Sequence, residues 1–152
     1  MKYTFETEIN APREKVAELA GNPDKRKEWM EGLESDEHVS GAPGMPGAKS
    51  RLVFKTGKVK ITFIGTVTAR NLPNELSETM DASNVLTTVT SRFVALSPQK
   101  TKHISEQEYE FKGIVNKIVG FLLQAEFKKQ TLRHMENFKR FAEKASAEIR
   151  EF

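Results

Sequence analysis

Residues 101–150 read TKHISEQEYEFKGIVNKIVGFLLQAEFKKQTLRHMENFKRFAEKASAEIR, and a change of period inside this stretch decides the fold. From Thr101 to Phe111 the chain alternates. Lys102, Glu106, Glu108 and Glu110 stand with Ile104 on one face, while His103, Ser105, Gln107, Tyr109 and Phe111 stand on the other. The charges put the first face in water, so the second turns inward. Gly113 is the last strong break before a long helical segment rich in Leu, Phe, Lys and Glu. At about 100° per residue its apolar side chains fall into two sets. Ile118, Phe121, Leu122, Ala125 and Leu132 share one side; Phe127, Thr131, Met135, Phe138, Ala142, Ala145 and Ile149 share another. A stripe that jumps round the helix predicts a bend near Gln124 to Glu126.

Upstream of this stretch the period is two. Lys2 to Ile9 alternates as a half-buried strand, with Tyr3, Phe5, Thr7 and Ile9 on one face. Asn10 is placed to cap a short helix whose first turn holds Pro12. The run Gly21-Asn22-Pro23-Asp24 repeats the device and opens a second short helix that ends near Trp29 and Gly32. Strands are predicted over 33–39, 51–55, 59–68, 76–81, 85–96 and 101–111, with the glycine- and proline-rich 41–47 as a loop. In the third of these, Val59, Ile61, Phe63, Gly65 and Val67 share one face.

Composition bounds the function. A chain of 152 residues with 38% hydrophobic and 30% charged residues matches one globular domain, 1–152. The absence of cysteine excludes disulfides, thiolate metal sites and cysteine nucleophiles. No apolar run reaches the roughly 18–20 residues of a membrane span, and MKYTFETE carries no signal-peptide pattern, so a cytoplasmic protein without stable membrane insertion is expected. The 24 basic residues barely exceed the 21 acidic ones and are spread along the chain, which argues against nucleic-acid binding. No metal-ligand spacing, phosphate loop or nucleophile elbow occurs, so neither a metal nor a cofactor is expected and no catalytic residue can be named.

The order is one strand, two short helices, a run of strands, then one long helix. A sheet of about seven antiparallel strands needs its apolar face covered, and the terminal helix is the element long enough to do it. Such a sheet curls, and need not close tightly on the helix it wraps. An empty gap of about 300 Å³ would cost roughly 7 kcal/mol at about 24 cal/mol per Å³. That is too much for a domain whose whole stability is about 5–15 kcal/mol, so a gap of that size calls for water or a guest.

The pieces Ile9-Asn10-Ala11-Pro12 with Val16, Asn22-Pro23-Asp24 with Trp29, Gly32-Leu33, the glycine-bearing segment to Gly47, 101–111 and the helix ending Met135-Glu-Asn-Phe138-Lys-Arg-Phe141 follow one another along the whole chain. In this order they resemble the START-like superfamily, also described as the birch-pollen-allergen-like or SRPBCC/polyketide cyclase group. The resemblance implies an α+β helix-grip fold: a curved sheet around a long C-terminal helix, with two short helices after the first strand. It also implies binding or transport of a small hydrophobic or amphipathic ligand (lipid, polyketide or isoprenoid-like) by a monomer or homodimer. Cyclase or aromatase chemistry in the same cavity, or a toxin- or co-chaperone-type adaptor with an external apolar patch, are the alternatives it leaves open.

The candidate ligand-binding residues are Trp29, Phe63, Thr87, Phe93, His103, Gln107, Tyr109, Phe127 and Met135. His103, Gln107 and Tyr109 give the inward face more polar groups than a dry core holds, and each needs a partner. Either they form the polar end of a pocket or the strand end is wet. His103 with Tyr109 or Gln107 could polarise a carbonyl. Trp29 is read either as a wall of the pocket mouth or as packing for the short helices. Phe127 and Met135 are cavity walls or ordinary core. Glu78, between Leu76 and Met80, is expected to face outward beside a bulge.

Overall fold

The structure is a computed structural model and describes residues 1–150, with side chains through residue 148; the side chain of Ile149 therefore lies outside the described ones. The elements are β1 (Lys2–Ile9), α1 (Arg13–Ala20), a 3-10 turn (Pro23–Lys25), α2 (Arg26–Trp29), β2 (Leu33–Ser40), β3 (Lys49–Thr56), β4 (Val59–Asn71), β5 (Glu75–Asp81), β6 (Val85–Ser97), β7 (Lys100–Phe111), α3 (Gly113–Leu122) and α4 (Gln124–Arg150). Seven strands form one curved antiparallel sheet in the order β1-β7-β6-β5-β4-β3-β2. β2 to β7 run as a meander, and β1 closes against β7 from Lys2–Glu108 to Ile9–Thr101. The two short helices therefore carry the chain from one edge of the sheet to the other. Among the described residues no helix is long and apolar enough to cross a membrane.

Local chemistry explains most boundaries. Asn22 Oδ1 accepts from the backbone N–H of Asp24 at 3.0 Å, as its position before Pro23 predicts. Asn10 does not cap α1. Pro12 holds the N-cap position in extended conformation, and the Asn10 backbone N–H donates instead to Glu143 on α4 at 3.1 Å. The helical tail breaks at Leu123, where the stripe changes side.

The loop after β2 is pinned by Gly41, whose φ is +79° and whose missing Cβ would lie 2.8 Å from the Ala48 Cα. Both facts demand glycine. Gly41→Ala is expected to cost about 1–3 kcal/mol, read as a fall in the urea midpoint with unchanged slope. A neutral result would show that this turn does not hold the β2–β3 connection in place.

The core has two ends. At one end Ile9, Val16, Leu19, Phe93, Phe138 and Ala142 join β1, α1, β6 and the second half of α4. At the other, Ala82, Val85 and Tyr109 pack with Tyr3, Phe63, Phe111 and Phe127. The close backbone neighbours of α4 are β1, α1, α2 and α3, so it crosses the concave side near one edge of the sheet. The predicted inward row of β4 is buried only at Gly65 and Val67; Val59 is 60% and Ile61 39% exposed. The close backbone neighbours of α4 lie toward the β1 edge, so it does not cover this end of β4. Of the two apolar sets on the tail, Thr131, Met135, Phe138 and Ala142 are buried, whereas Ile118, Phe121, Leu122 and Leu132 are exposed.

Candidate functional site

The floor of the site is the middle of the concave face. Register places Val89 of β6 between Glu78 of β5 and Gln107 of β7, Thr87 between Met80 and Tyr109, and Ser91 between Leu76 and Ser105. These rows share the face of Phe93, which is buried in the core. Val89, Ser91, Glu78, Met80, Gln107 and Phe63 are nonetheless only half-buried. Strands pair on both sides of β6, so the accessible part of Val89 opens onto the concave side rather than past an edge. Between the two packed ends the floor is thus not sealed by α4.

A chain of hydrogen bonds runs along the inward face of β7. Gln107 Nε2 donates to Ser105 Oγ at 3.1 Å, and Tyr109 Oη donates to Gln107 Oε1 at 3.1 Å. The Tyr109 hydroxyl also meets Thr131 Oγ1 of α4 at 3.2 Å, and Thr131 donates back to the Phe127 carbonyl. Burial raises the Tyr109 phenol above its ordinary range, although the Thr131 bond pulls the other way. Most of the polar excess predicted for this face is therefore satisfied internally, with Gln107 still accessible.

His103 is the exception, and it is not at a wet strand end. It is 7% exposed, stacked on Phe93 (5.2 Å, 14°) and met edge-on by Phe138 (5.5 Å, 66°). Among the described residues neither ring nitrogen has a protein partner. Burial lowers its pKa from 6.5 to about 4, so it is neutral at neutral pH. Trp29 also packs edge-on against Phe138 (5.1 Å, 65°), its indole N–H without a partner among the described residues; it joins α2 to α4. Phe93, Met135 and Thr87 are buried, at 2%, 5% and 8% exposure. Phe127 stacks on Tyr109 at 5.4 Å.

Glu78 does not face outward. The bulge of the β4–β5 pair lies beside the row of Glu78, but its extra residue, Thr68, is on β4, so β5 alternates without a break and Glu78 keeps the parity of Leu76 and Met80. It points to Arg26 Nη2 at 3.7 Å, and Arg26 in turn meets Asp36 at 3.3 Å. Burial raises the Glu78 pKa, while Arg26 lowers it by a smaller amount. Sequence reasoning missed Arg26 and Asp36, since Arg26 between two lysines reads as a solvated basic cluster. Only the parity of Asp36 with the buried Leu52, its partner on β3, hints that it faces inward.

Two clefts open at the surface. One, of about 250 Å³, lies between Arg26, Asp36, His38, Ser50, Gly44 and Val67. The other, of about 460 Å³, lies between Gly32, Lys55, Leu123, Phe127, Gln130 and His134. Each touches a residue that reaches the floor: Arg26 through Glu78, and Phe127 through Tyr109. His134 stacks on Phe54 at 6.3 Å, and burial lowers its pKa.

No protein-family model and no curated protein matches the sequence. Solved structures do match. An aromatase/cyclase, Zhui, from a Streptomyces species superposes with a TM-score of 0.80 at 12% identity, covering 94% of this chain and 93% of that one. A START superfamily protein from Mycobacterium smegmatis gives 0.71 at 15% identity, over 97% and 98%. A norcoclaurine synthase point mutant of Thalictrum flavum, in complex with a transition-state analogue, gives 0.72 at 14% identity, over 93% of each chain. Identities this low speak for architecture alone, and with the sheet order and terminal helix they agree on one: the chain has the helix-grip fold of the START/SRPBCC proteins.

Proposed function

We propose that the chain, 1–152 as one domain, binds a small hydrophobic or amphipathic molecule of the lipid, polyketide or isoprenoid class between the sheet and α4. The observation that carries this reading is the accessible middle of the concave floor, where Val89, Met80 and Phe63 offer apolar contact beside Gln107 and Glu78. An apolar body with one polar end suits that lining. Zhui and norcoclaurine synthase, of the same fold, are named as enzymes, which is compatible with small-molecule occupancy of such a fold. Among the nine candidate residues, Phe63 and Gln107 line the open floor. Thr87, Tyr109, Phe127 and Met135 support it, and Trp29, Phe93 and His103 pack its closed end.

Dodecanoate is the simplest probe. At about 100 times its dissociation constant a ligand adds about 2.7 kcal/mol, which is roughly 5–10 °C in melting temperature for a chain of this size. Val89→Phe, which fills the floor, is expected to remove that gain. No stabilisation of the unmodified chain, or an equal gain in Val89→Phe, contradicts the reading. A cyclase-type enzyme is the second reading, favoured by one observation: a carboxyl, Glu78, whose pKa burial raises on that floor. It requires turnover that fails in Glu78→Gln while ligand binding persists.

A further inference from the structure

Helix α3 is inside out. Its inner contact is Gly120, buried so closely on the Phe111 ring that a Cβ would lie 2.5 Å from the ring carbons. The side opposite a residue at position 120 of a helix centres on 118 and 122. There a surface helix carries polar groups. Here Ile114 is 77% exposed, Val115 73%, Ile118 58%, Phe121 65% and Leu122 72%. Large apolar side chains exposed together in this way differ from the single, scattered ones that a monomer's surface ordinarily shows.

The charge beside the patch is mainly basic. Between Phe111 and Ala125 there is no Asp or Glu, while Lys117 sits on the helix itself. Lys128 and Lys129 follow on the next turns, with Glu126 as the one acid among them. Apolar side chains beside Lys117 and Lys128, with Lys129 paired to Glu126, complement an anionic lipid surface. A second copy fits less well, because a two-fold contact through this ridge would set like Lys117 charges against each other. At ten residues the helix measures about 15 Å, half of a bilayer core, so it lies in the interface and does not span.

We infer that α3 docks the protein on the surface of an anionic phospholipid bilayer, with Ile114, Val115, Ile118, Phe121 and Leu122 entering the headgroup boundary. Leu123, which follows the helix, lines the 460 Å³ cleft beside Phe127. Docking thus sets that mouth against the lipid, and a hydrophobic guest passes between bilayer and cavity without crossing water. This last step rests on the ligand-binding reading; the docking does not.

The test is flotation with vesicles of phosphatidylcholine, with and without phosphatidylglycerol. The unmodified chain is expected to float with the anionic vesicles and to be released as salt rises. The double substitution Ile118→Glu with Leu122→Glu is expected to weaken this at least about tenfold, with an unchanged melting temperature because both positions are exposed. Lys117→Glu is expected to weaken binding to anionic vesicles only. Failure of the unmodified chain to float, or equal flotation of the double variant, overturns the proposal. So does a solution dimer that the double substitution dissociates without any vesicle binding, since a second copy is then the occupant. Dodecanoate stabilisation measured without vesicles in the double variant keeps the two readings apart: it survives if only the docking proposal is wrong or only α3 is lost, and is absent if the cavity reading is wrong.

Discussion

Phe138→Ala is expected to lower stability by about 3–5 kcal/mol, which on a total of about 5–15 kcal/mol takes a large share of what holds the chain folded. Phe138, on α4, is 1% exposed and meets both Trp29, at 5.1 Å, and His103, at 5.5 Å. Truncation removes those contacts and leaves a hole that the sheet cannot close, because Phe93 and His103 are already stacked on each other. The melting temperature should fall by roughly 6–20 °C. Trp29 emission should shift to the red as its ring loses the edge-on partner. A loss below about 1 kcal/mol would mean that the second half of α4 is not seated on α1, α2 and β6 as described.

The second large effect is a loss of stability in acid that originates at His103. In the folded chain its pKa lies at about 4, against 6.5 for a free side chain, because burial disfavours the imidazolium. The unfolded chain therefore takes up a proton that the folded chain refuses between those two values. Stability is full above pH 6.5 and declines as the pH falls toward 4, by about 3 kcal/mol in all. Glu78 has the opposite sign, since its raised pKa favours the folded state as acid protonates it, and His134 has the same sign as His103. Subtracting the pH profile of His103→Leu from that of the unmodified chain isolates the one group. The difference should be flat above pH 7 and widen through the 6.5-to-4 window. At neutral pH the variant should be at least as stable, because it removes two buried nitrogens that have no protein partner among the described residues. Parallel profiles would show that His103 is hydrated and not enclosed by Phe93 and Phe138.

The sheet was legible because alternation reports directly which side of a strand is wet. The ends of β1 at Lys2 and Ile9, and the inward parity of His103, Ser105, Gln107 and Tyr109, follow from that rule alone. The break at Leu123 was legible for a related reason, since a stripe cannot change side on one straight helix. What periodicity does not carry is the identity of the covering partner. Ile118, Phe121 and Leu122 share a face as expected, but nothing local says that Gly120 is the side that docks. Glu78 was misplaced because its charge argues for water, whereas its register and Arg26 from another element hold it inside. The candidate site was legible as a face and not as a shape. Which polar groups on that face satisfy one another depends on Thr131, which α4 brings over from a separate part of the chain.

Proton nuclear Overhauser measurements between dodecanoate and the methyl groups of Met80 and Val89 test the central claim most directly. Cross-peaks from the probe to both, absent in Val89→Phe, are the result that a guest on the concave floor requires. Contacts confined to Ile118 and Leu122 on the outside of α3, or no contacts at all in a folded protein, would show that the gap between sheet and terminal helix holds no ligand.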